Sequence, residues 1–289
     1  MDIAELYRTY KSLCFSISYQ LTGSISDAED VVQDVFLKLS TVTITDLEEP
    51  KAYLCKMTVN RCYDVLKSGK VKREQYVGPW LPEPLPTGKN QLEELVERSE
   101  LLNYGMLVLL ERLTIVERTV FVLREALGFE YAEIAKIVGK NEVNCRKILS
   151  RTKEKIELSD RGELQSNPPT VEWIHQFLGA LELGQMDQVI TLLSEDVTLL
   201  SDGGGKVSAA LKPIVSRDFV LRFIMGIFQN ASKKEEEIRF ELTELNGETG
   251  VIVWSKDEIM TVALVHIESG MAKNFYFIRN PEKLNHLSR

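Results

Sequence analysis

Apolar residues recur every three or four positions through the first 72 residues, which is the spacing of amphipathic helices. The segment AEDVVQDVFLKL, residues 28–39, shows this spacing most clearly. Ser26 followed by Glu29 resembles a capping box that starts a second helix, and Pro50 suits the first turn of a third. We therefore predict that residues 1–73 form an all-helical bundle of three or four helices.

The stretch YVGPWLPEPLP, residues 76–86, interrupts the helical pattern with four prolines and a glycine. Proline fixes φ and has no N–H donor, so the stretch should be extended polyproline II rather than helix or central strand. Leaving Trp80, Leu81 and Leu85 in water would cost about 25 cal/mol per Å² of apolar surface. We call residues 76–86 the strap, assign them to a linker of residues 74–90, and expect them to lie on another part of the protein.

Residues 91–158 return to helical spacing and end in a more specific pattern. The segment YAEIAKIV, residues 131–138, precedes a tight turn at Gly139 and a helix that starts near Asn141. Two short helices joined by a glycine turn, the second carrying basic residues, are typical of a DNA-binding helix-turn-helix. The residues expected to pack the two helices together are Ala132, Ile134, Ala135, Val138, Val143 and Ile148. Those expected to face DNA are Asn141, Glu142, Asn144, Arg146, Lys147, Ser150 and Arg151.

The pattern changes again after a second linker, residues 159–169, which is polar and contains prolines. Residues 170–289 begin with two amphipathic helices, and from residue 197 the apolar period falls toward two. Turn signals at Asn246-Gly247, Lys256-Asp257 and Ser269-Gly270 separate three or four consecutive antiparallel strands. The predicted fold is therefore multidomain, with two all-α domains followed by an α+β domain whose curved sheet wraps around helices.

The charge distribution refines this picture. The chain has 35 Lys and Arg against 43 Asp and Glu, a net charge of −8, which argues against a grip on nucleic acid by bulk electrostatics. Two local basic clusters nevertheless indicate two separate contacts with a polyanion, or else two solvated helix faces. The first cluster is Lys67, Lys70, Lys72 and Arg73. The second is Lys140, Arg146, Lys147, Arg151, Lys153 and Lys155.

The four cysteines form no CxxC pair and have no zinc-ligand spacing with the three histidines. We expect reduced, mostly buried thiols and neither a metal nor another cofactor. The sequence has no apolar run of the roughly 20 residues that a membrane span needs, and its N-terminus carries acidic residues rather than a basic leader. The expected location is cytoplasmic, with no membrane contact.

Several segments closely resemble a known family. "GSISDAEDVVQDVFLKL" and "PKAYLCKMTVNRCYDVLKS" resemble region 2 of bacterial extracytoplasmic-function (ECF) sigma factors, and residues 111–156 resemble their region 4. Residues 170–289 resemble a SnoaL-like (NTF2-like) domain. One branch of these sigma factors carries that domain, together with a linker like "GPWLPEPL" and a "DGGGK" motif, here Asp202–Lys206. The four features occur in the expected order.

The resemblance implies that the chain binds core RNA polymerase, at the clamp coiled coil of the largest subunit, and promoter DNA. The implied polymerase contacts are Asp30, Gln33, Asp34 and Leu37. The implied −10 contacts are Tyr53, Asn60, Arg61, Asp64 and Lys67. Tyr53 stands where the family usually has tryptophan, and fewer arginines follow Asp64 than is usual. The helix of residues 141–155 is expected in the −35 major groove.

We expect Trp80, Leu81 and Pro82 of the strap to pack against the C-terminal domain or against region 2. For the DGGGK residues Asp202, Gly203, Gly204, Gly205 and Lys206, the resemblance implies a regulatory contact with the sigma core. The motif is not a P-loop, because Val207 stands where Ser or Thr is required. A small-molecule ligand in the C-terminal domain stays open, whereas catalysis is disfavoured because the fold alone carries none. The alternative function is a stand-alone helix-turn-helix regulator with a ligand-sensing C-terminal domain.

Overall fold

The computed structural model describes residues 2–41, 49–87, 101–159, 167–233 and 237–287. The chain divides into two compact units, one of residues 1–74 and 87–159 and the other of residues 75–86 and 160–289. The strap therefore belongs with the C-terminal domain, although both segments that flank it belong to the first unit. The side chains of Lys70, Lys72 and Arg73 lie outside the described part of the structure.

The first unit begins with three helices that pack on one another, α1 (Ile3–Thr22), α2 (Ile25–Ser40) and α3 (Pro50–Glu74). Helix α3 begins at Pro50 as predicted. The predicted capping box at Ser26 is wrong, because Gly23 ends α1 in the left-handed region and leaves the extended Ser24 as the N-cap of α2. The Ser24 hydroxyl accepts the N–H of Asp27 at 3.3 Å.

Four further α-helices follow among the described residues of this unit. They are α4 (Tyr104–Leu110), α5 (Ile115–Phe121), which a π-helical turn (Val122–Ala126) extends, α6 (Tyr131–Val138) and α7 (Glu142–Ser159). Helix α6 packs on both α7 and α3. The buried Arg118 of α5 donates to the carbonyls of Leu21 in α1, at 2.7 Å, and Leu110 in α4. These contacts make α1–α7 one body.

The helix-turn-helix has the predicted turn but a different packing register. Gly139 ends α6 with φ of 66°, and the Asn141 side chain caps α7 by accepting the N–H of Asn144 at 2.8 Å. Ile134 is buried as predicted, but the predictions for Ala132 and Val143 are wrong because both side chains are exposed. Helix α7 begins at 142, so Val143 lies in its solvent-facing first turn. The buried partners of Ile134 are Ile137, Cys145 and Leu149.

In its described residues, the second unit has three α-helices, two short 3₁₀ helices (Pro281–Lys283 and Asn285–Leu287) and one six-stranded sheet. The α-helices are α8 (Val171–Glu182), α9 (Met186–Thr191) and α10 (Arg217–Lys233). The strands are β1 (Leu193–Asp202), β2 (Ile214–Val215), β3 (Ile238–Leu245), β4 (Glu248–Ser255), β5 (Glu258–Glu268) and β6 (Met271–Ile278), in the order β2-β1-β6-β5-β4-β3. All neighbours are antiparallel except β1 and β6.

The predicted hairpins between β3, β4, β5 and β6 are confirmed. Asn246, Lys256 and Ser269 have φ of 54°, 54° and 51°, the left-handed conformation that tight hairpin turns require. Strands β1 and β2 and helix α10 were not predicted from the sequence. In β5 and β6, Ala263, Phe275 and Phe277 belong to a core with α8 and α10. Within the described residues, no helix is both long and apolar enough to cross a membrane.

Candidate functional site

The first half of the strap is bound by a cluster of polar side chains in the second unit, which we call the clamp: Asp202, Asn280 and Lys283. Asp202 ends β1 and is fully buried, and its Oδ2 accepts the backbone N–H of Leu81 at 2.8 Å. Its Oδ1 accepts the Tyr76 hydroxyl at 2.6 Å, and Asn280 Nδ2 donates to that hydroxyl at 2.9 Å. Burial, together with the Asp202 carboxylate, raises the pKa of Tyr76 above its ordinary value.

Lys283 supplies the positive charge of the clamp. Its Nζ lies 2.8 Å from Asp202 Oδ2 and also donates to the carbonyl of Leu81. The same ammonium lies 3.9 Å from the centre of the Trp80 ring and 5.2 Å from that of Tyr76. Lys283 and Asp202 have side-chain exposures of 7% and 0%. A buried charge needs such compensation, so the strap contributes two aromatic faces and a carbonyl to the solvation of one lysine.

The glycines of the DGGGK motif let the strap approach closely. A Cβ on Gly204, whose φ is 58°, would lie 2.4 Å from Asn280 Nδ2 and 2.9 Å from the Tyr76 hydroxyl. A Cβ on Gly205 would lie 3.1 Å from Val77. The motif therefore accommodates side chains of the strap and the clamp rather than a phosphate group. Lys206 forms an exposed ion pair with Glu282 at 3.0 Å.

A second anchor holds the other half of the strap. Leu85 and Asn246 form a reciprocal pair, in which the Leu85 N–H donates to Asn246 Oδ1 at 3.0 Å and the Asn246 N–H donates to the Leu85 carbonyl at 2.7 Å. His286 Nε2 donates to the carbonyl of Pro84 at 2.7 Å. Leu81 and Leu85 are buried, with exposures of 0% and 1%. The strap is thus fixed at two points, both largely through its own backbone.

Of the two surfaces expected for the strap, the structure shows the C-terminal domain, since the Leu81 N–H donates to Asp202 and Trp80 and Pro82 flank Leu81. Three residues of this contact were not predicted: Tyr76 of the strap, and Asn280 and Lys283 of the clamp. Asn280 carries a local signal, because Asn before Pro281 is typical of a helical turn, and its side chain does accept the N–H of Glu282. No local signal marks Lys283 as buried, because lysine is almost always exposed unless it has a partner.

The predicted polymerase-binding residues lie on α2. Asp30, Gln33 and Leu37 are exposed, and Leu37 has an exposure of 59%, which is high for a large apolar side chain. Val31, Val35 and Leu39 of the same helix are buried. The helix therefore presents a separate outer face that includes an apolar side chain, as a protein-binding helix requires.

The fourth residue of that set, Asp34, is paired with a predicted −10 residue. Arg61 of α3 donates from Nε and Nη2 to the same oxygen, Asp34 Oδ2, with both distances at 2.7 Å. Both side chains are 44% exposed. Asn60, Asp64 and Lys67 are exposed on α3, whereas Tyr53 is half-buried. One cleft between α2 and α3 is lined by Asp34, Val35, Lys38, Met57, Asn60, Arg61 and Asp64.

Every predicted −35 residue is exposed on α7 or at its cap: Asn141, Glu142, Asn144, Arg146, Lys147, Ser150 and Arg151. Two of them also interact with neighbouring side chains. Arg146 pairs with Glu142 at 3.2 Å and its guanidinium lies 4.7 Å from the centre of the Tyr131 ring. Asn141 is occupied by capping. The remaining cations, Lys147 and Arg151, are exposed along the outer face of the helix.

The C-terminal domain contains an apolar cavity between the sheet and helices α8 and α10. Its void is about 60 Å³, and the lining is apolar except for Thr261. The lining residues are Phe177, Leu178, Leu181, Ile224, Ile227, Ile238, Phe240, Val251, Val253, Met260, Thr261, Ala263, Phe275 and Phe277. Neither His175 nor His266 lines it: His175 is exposed, and His266 is buried with its Nε2 3.0 Å from Glu248 Oε2.

Comparison with protein families gives two matches. Residues 6–71 match sigma-70 region 2, and residues 106–156 match sigma-70, region 4. The first match spans α1–α3 and the second spans α4–α7, so each match coincides with one of the two helical segments described above.

Comparison with individual proteins extends the similarity to the whole chain. The ECF RNA polymerase sigma factor SigJ of Mycobacterium tuberculosis is 29% identical over 294 residues, covering 98% of this chain and 93% of that protein. The probable ECF RNA polymerase sigma factor SigI of the same species is 27% identical over 68% of each chain. The crystal structure of M. tuberculosis SigJ superposes with a TM-score of 0.78 at 27% identity, covering 98% of each chain.

Proposed function

Because the chain belongs to the ECF sigma factors, we propose that it binds core RNA polymerase through the outer face of α2 and recognises promoter DNA through α3 and α7. The observation that carries the assignment is the paired match to regions 2 and 4, in order, within a similarity that covers 98% of the chain. A stand-alone helix-turn-helix regulator is not favoured, because it has no use for region 2.

The individual roles follow from where each side chain is exposed. Asp30, Gln33 and Leu37 form the polymerase face of α2, with Asp34 at its edge. Asn60, Arg61, Asp64 and Lys67 form the −10 surface. The aromatic Tyr53 is half-buried and stacks on an unpaired base only if that base reaches its exposed edge. The exposed face of α7, with Lys147 and Arg151, enters the −35 major groove.

A test of polymerase binding uses the full chain and purified bacterial core RNA polymerase. Leu37→Glu should abolish co-migration in size-exclusion chromatography, because it places a carboxylate at the apolar centre of the proposed contact. Leu158→Glu is the matched control, since Leu158 is another exposed apolar residue of the first unit, on α7, at 74% exposure. If the native chain does not co-migrate where a known sigma factor does, the proposed function fails. Equal binding by native and Leu37→Glu chains would refute the assigned face.

We further propose that the C-terminal domain modulates transcription by holding the strap in the clamp. The strap lies within the chain segment that joins regions 2 and 4, and its Leu81 and Leu85 are hydrogen-bonded to Asp202 and Asn246. Gly204 and Gly205 permit that approach, Gly203 lies against Val207 and Ala209 of its own loop, and Lys206 interacts at the surface. Asp202→Asn should change promoter output in a reconstituted transcription assay. Output equal to that of the native chain would refute this role.

The apolar cavity supports a second proposed role for the C-terminal domain, the sensing of a small ligand. A lining whose polar contribution is limited to Thr261 would accept an uncharged, apolar molecule and reject polar ones, because a buried polar group without a partner is costly. The void of about 60 Å³ is well below the roughly 150 Å³ of a cavity that binds benzene, so a single apolar atom is the suitable probe. Xenon under pressure should therefore raise the melting temperature of the native chain, and Ala263→Val, which partly fills the void, should abolish the effect. An equal effect of xenon on the native and Ala263→Val chains would refute a cavity site. The domain is proposed to sense rather than to catalyse.

A further inference from the structure

The contact between Asp34 and Arg61 joins two surfaces that the proposed function assigns to different partners. Asp34 belongs to the polymerase-binding set on α2, and Arg61 belongs to the −10 set on α3. In the structure, two nitrogens of Arg61 donate to one oxygen of Asp34 at 2.7 Å. We propose that Asp34 is a positioning residue that holds Arg61 back from DNA until polymerase engages the carboxylate. This inference rests on the proposed function.

The pairing with Asp34 changes the local charge around Arg61. A carboxylate in contact with a guanidinium cancels most of its field at a distance, so the paired Arg61 attracts a phosphate only weakly. Nε and Nη2 are also the two donors with which an arginine grips a planar anion side-on, and here both point to Asp34. The cation is therefore present on the −10 surface but is not free to act there.

The pair is also weak enough to exchange partners. Both side chains are 44% exposed, and ion pairs with such exposure contribute little to stability because water and salt screen them. A cationic side chain of the polymerase can therefore replace Arg61 as the partner of Asp34 at a small cost in free energy. A pair buried like Lys283 and Asp202 could not exchange in this way. The exposure of Asp34 and Arg61 thus suits a contact that forms and breaks.

Both residues line one cleft. Asp34 shares it with Asn60, Arg61 and Asp64 of the −10 set and with Lys38. A partner that approaches Asp34 thus changes the charge at the edge of the DNA surface directly. By linkage, polymerase binding then raises DNA affinity, and DNA binding raises polymerase affinity by the same factor. The net charge of −8 fits a chain that binds promoter DNA poorly on its own.

The test measures how the full chain, without polymerase, binds a fluorescent single-stranded oligonucleotide that carries a −10 element, at low salt. Asp34→Asn should raise the affinity about two- to fivefold, the factor that an exposed ion pair of up to about 1 kcal/mol represents. The same variant should bind core polymerase more weakly. Glu29→Gln is the matched control: it removes one negative charge from the exposed surface of α2 five residues before Asp34, and among the described residues Arg61 pairs with Asp34 rather than Glu29.

The Arg61→Gln background separates release of Arg61 from a general charge effect. In that background Asp34→Asn should no longer raise DNA affinity, because there is no guanidinium to release. The inference is overturned if Asp34→Asn leaves DNA affinity unchanged, if Glu29→Gln raises it equally, or if the increase persists with Arg61→Gln. A chain that fails to bind polymerase at all would refute the proposed function. The DNA affinities of the Asp34→Asn, Arg61→Gln and double variants would still show whether Asp34 restrains Arg61.

Discussion

Replacing Lys283 with methionine should release the strap from the clamp. Methionine keeps most of the apolar stem of lysine but removes the charge that faces Asp202, the Leu81 carbonyl and the Trp80 ring. Removing one partner of a buried ion pair typically costs about 3–5 kcal/mol, because the other charge stays buried without compensation. Asp202 keeps two donors, the Tyr76 hydroxyl and the Leu81 N–H, so we expect a cost near the lower value, about 3 kcal/mol.

The strap amides provide a direct assay. The N–H groups of Leu81 and Leu85 donate to Asp202 and Asn246, so hydrogen exchange of a peptide that covers the strap reports the free energy of its local opening. At about 1.4 kcal/mol per factor of ten, a loss of about 3 kcal/mol corresponds to exchange roughly 100-fold faster. Lys206→Met is the matched control. Its ion pair with Glu282 is 55% and 67% exposed, so it should change exchange by no more than about fivefold.

The Asp202→Asn/Lys283→Met double variant tests whether the buried ion pair is the source of the effect. With both charges removed, part of the stability should return relative to Lys283→Met alone, because no carboxylate is then buried without a cation. If Lys283→Met accelerates exchange no more than Lys206→Met, the clamp does not hold the strap and the argument fails. If the double variant exchanges as fast as an additive sum predicts, the ion pair is not the source of the effect.

Three other predictions concern the glycine at the strap contact, the Tyr76 hydroxyl and the buried thiols. Gly204→Ala should loosen the strap in the exchange assay, whereas Gly184→Ala, also at positive φ but with open space around its Cβ, should cost only about 1 kcal/mol locally and leave strap exchange unchanged. Since the folded pKa of Tyr76 lies above its ordinary value of 10.0, its contribution to stability is present below pH 10 and lost as pH rises further; chemical unfolding from pH 9 to 11 should show this loss, and Tyr76→Phe should lessen it. Burial raises the pKa of Cys14 to about 11 and that of Cys62 to about 12, so at pH 8 an aromatic disulfide reagent should modify them at least about 100-fold more slowly than an unfolded control; equal rates would contradict the buried environment.

Local sequence signals predicted the parts of the fold that depend on neighbouring residues. The hairpin at Asn246-Gly247 follows from backbone preference alone, and the strap follows from proline chemistry, so both could be recognised without tertiary information. The parallel pairing of β1 with β6 joins strands some 70 residues apart in sequence, as in Leu199 with Phe275, and no local pattern encodes it. The buried face of α7 was missed because the apolar pattern did not count two of its members: Cys145 and Thr152 are fully buried in line with Leu149 and Ile156.

The residues of the candidate site also fall into two groups, those that a sequence motif marks and those whose contacts depend on the fold. Asp202 and the glycines were predicted because a family motif marks them, whereas Lys283 was missed because its burial depends on the strap itself. Arg61 and Asp34 were both predicted, but as members of separate surfaces. Their contact arises from the packing of α2 on α3, which brings together residues 27 positions apart. Sequence indicated which side chains carry function, and the fold determined which of them interact.

Under the proposed role of the strap, its two anchors place control in the clamp rather than in most of the strap sequence. The strap contributes backbone groups, namely the N–H and carbonyl of Leu81, those of Leu85 and the carbonyl of Pro84, together with the side chains of Tyr76 and Trp80. Because backbone groups are the same for any residue, a strap side chain that points to solvent can change with little effect on binding. Asp202 and Lys283 have no such freedom, since each compensates the other's buried charge. Any signal that disturbs either residue would free the segment joining regions 2 and 4.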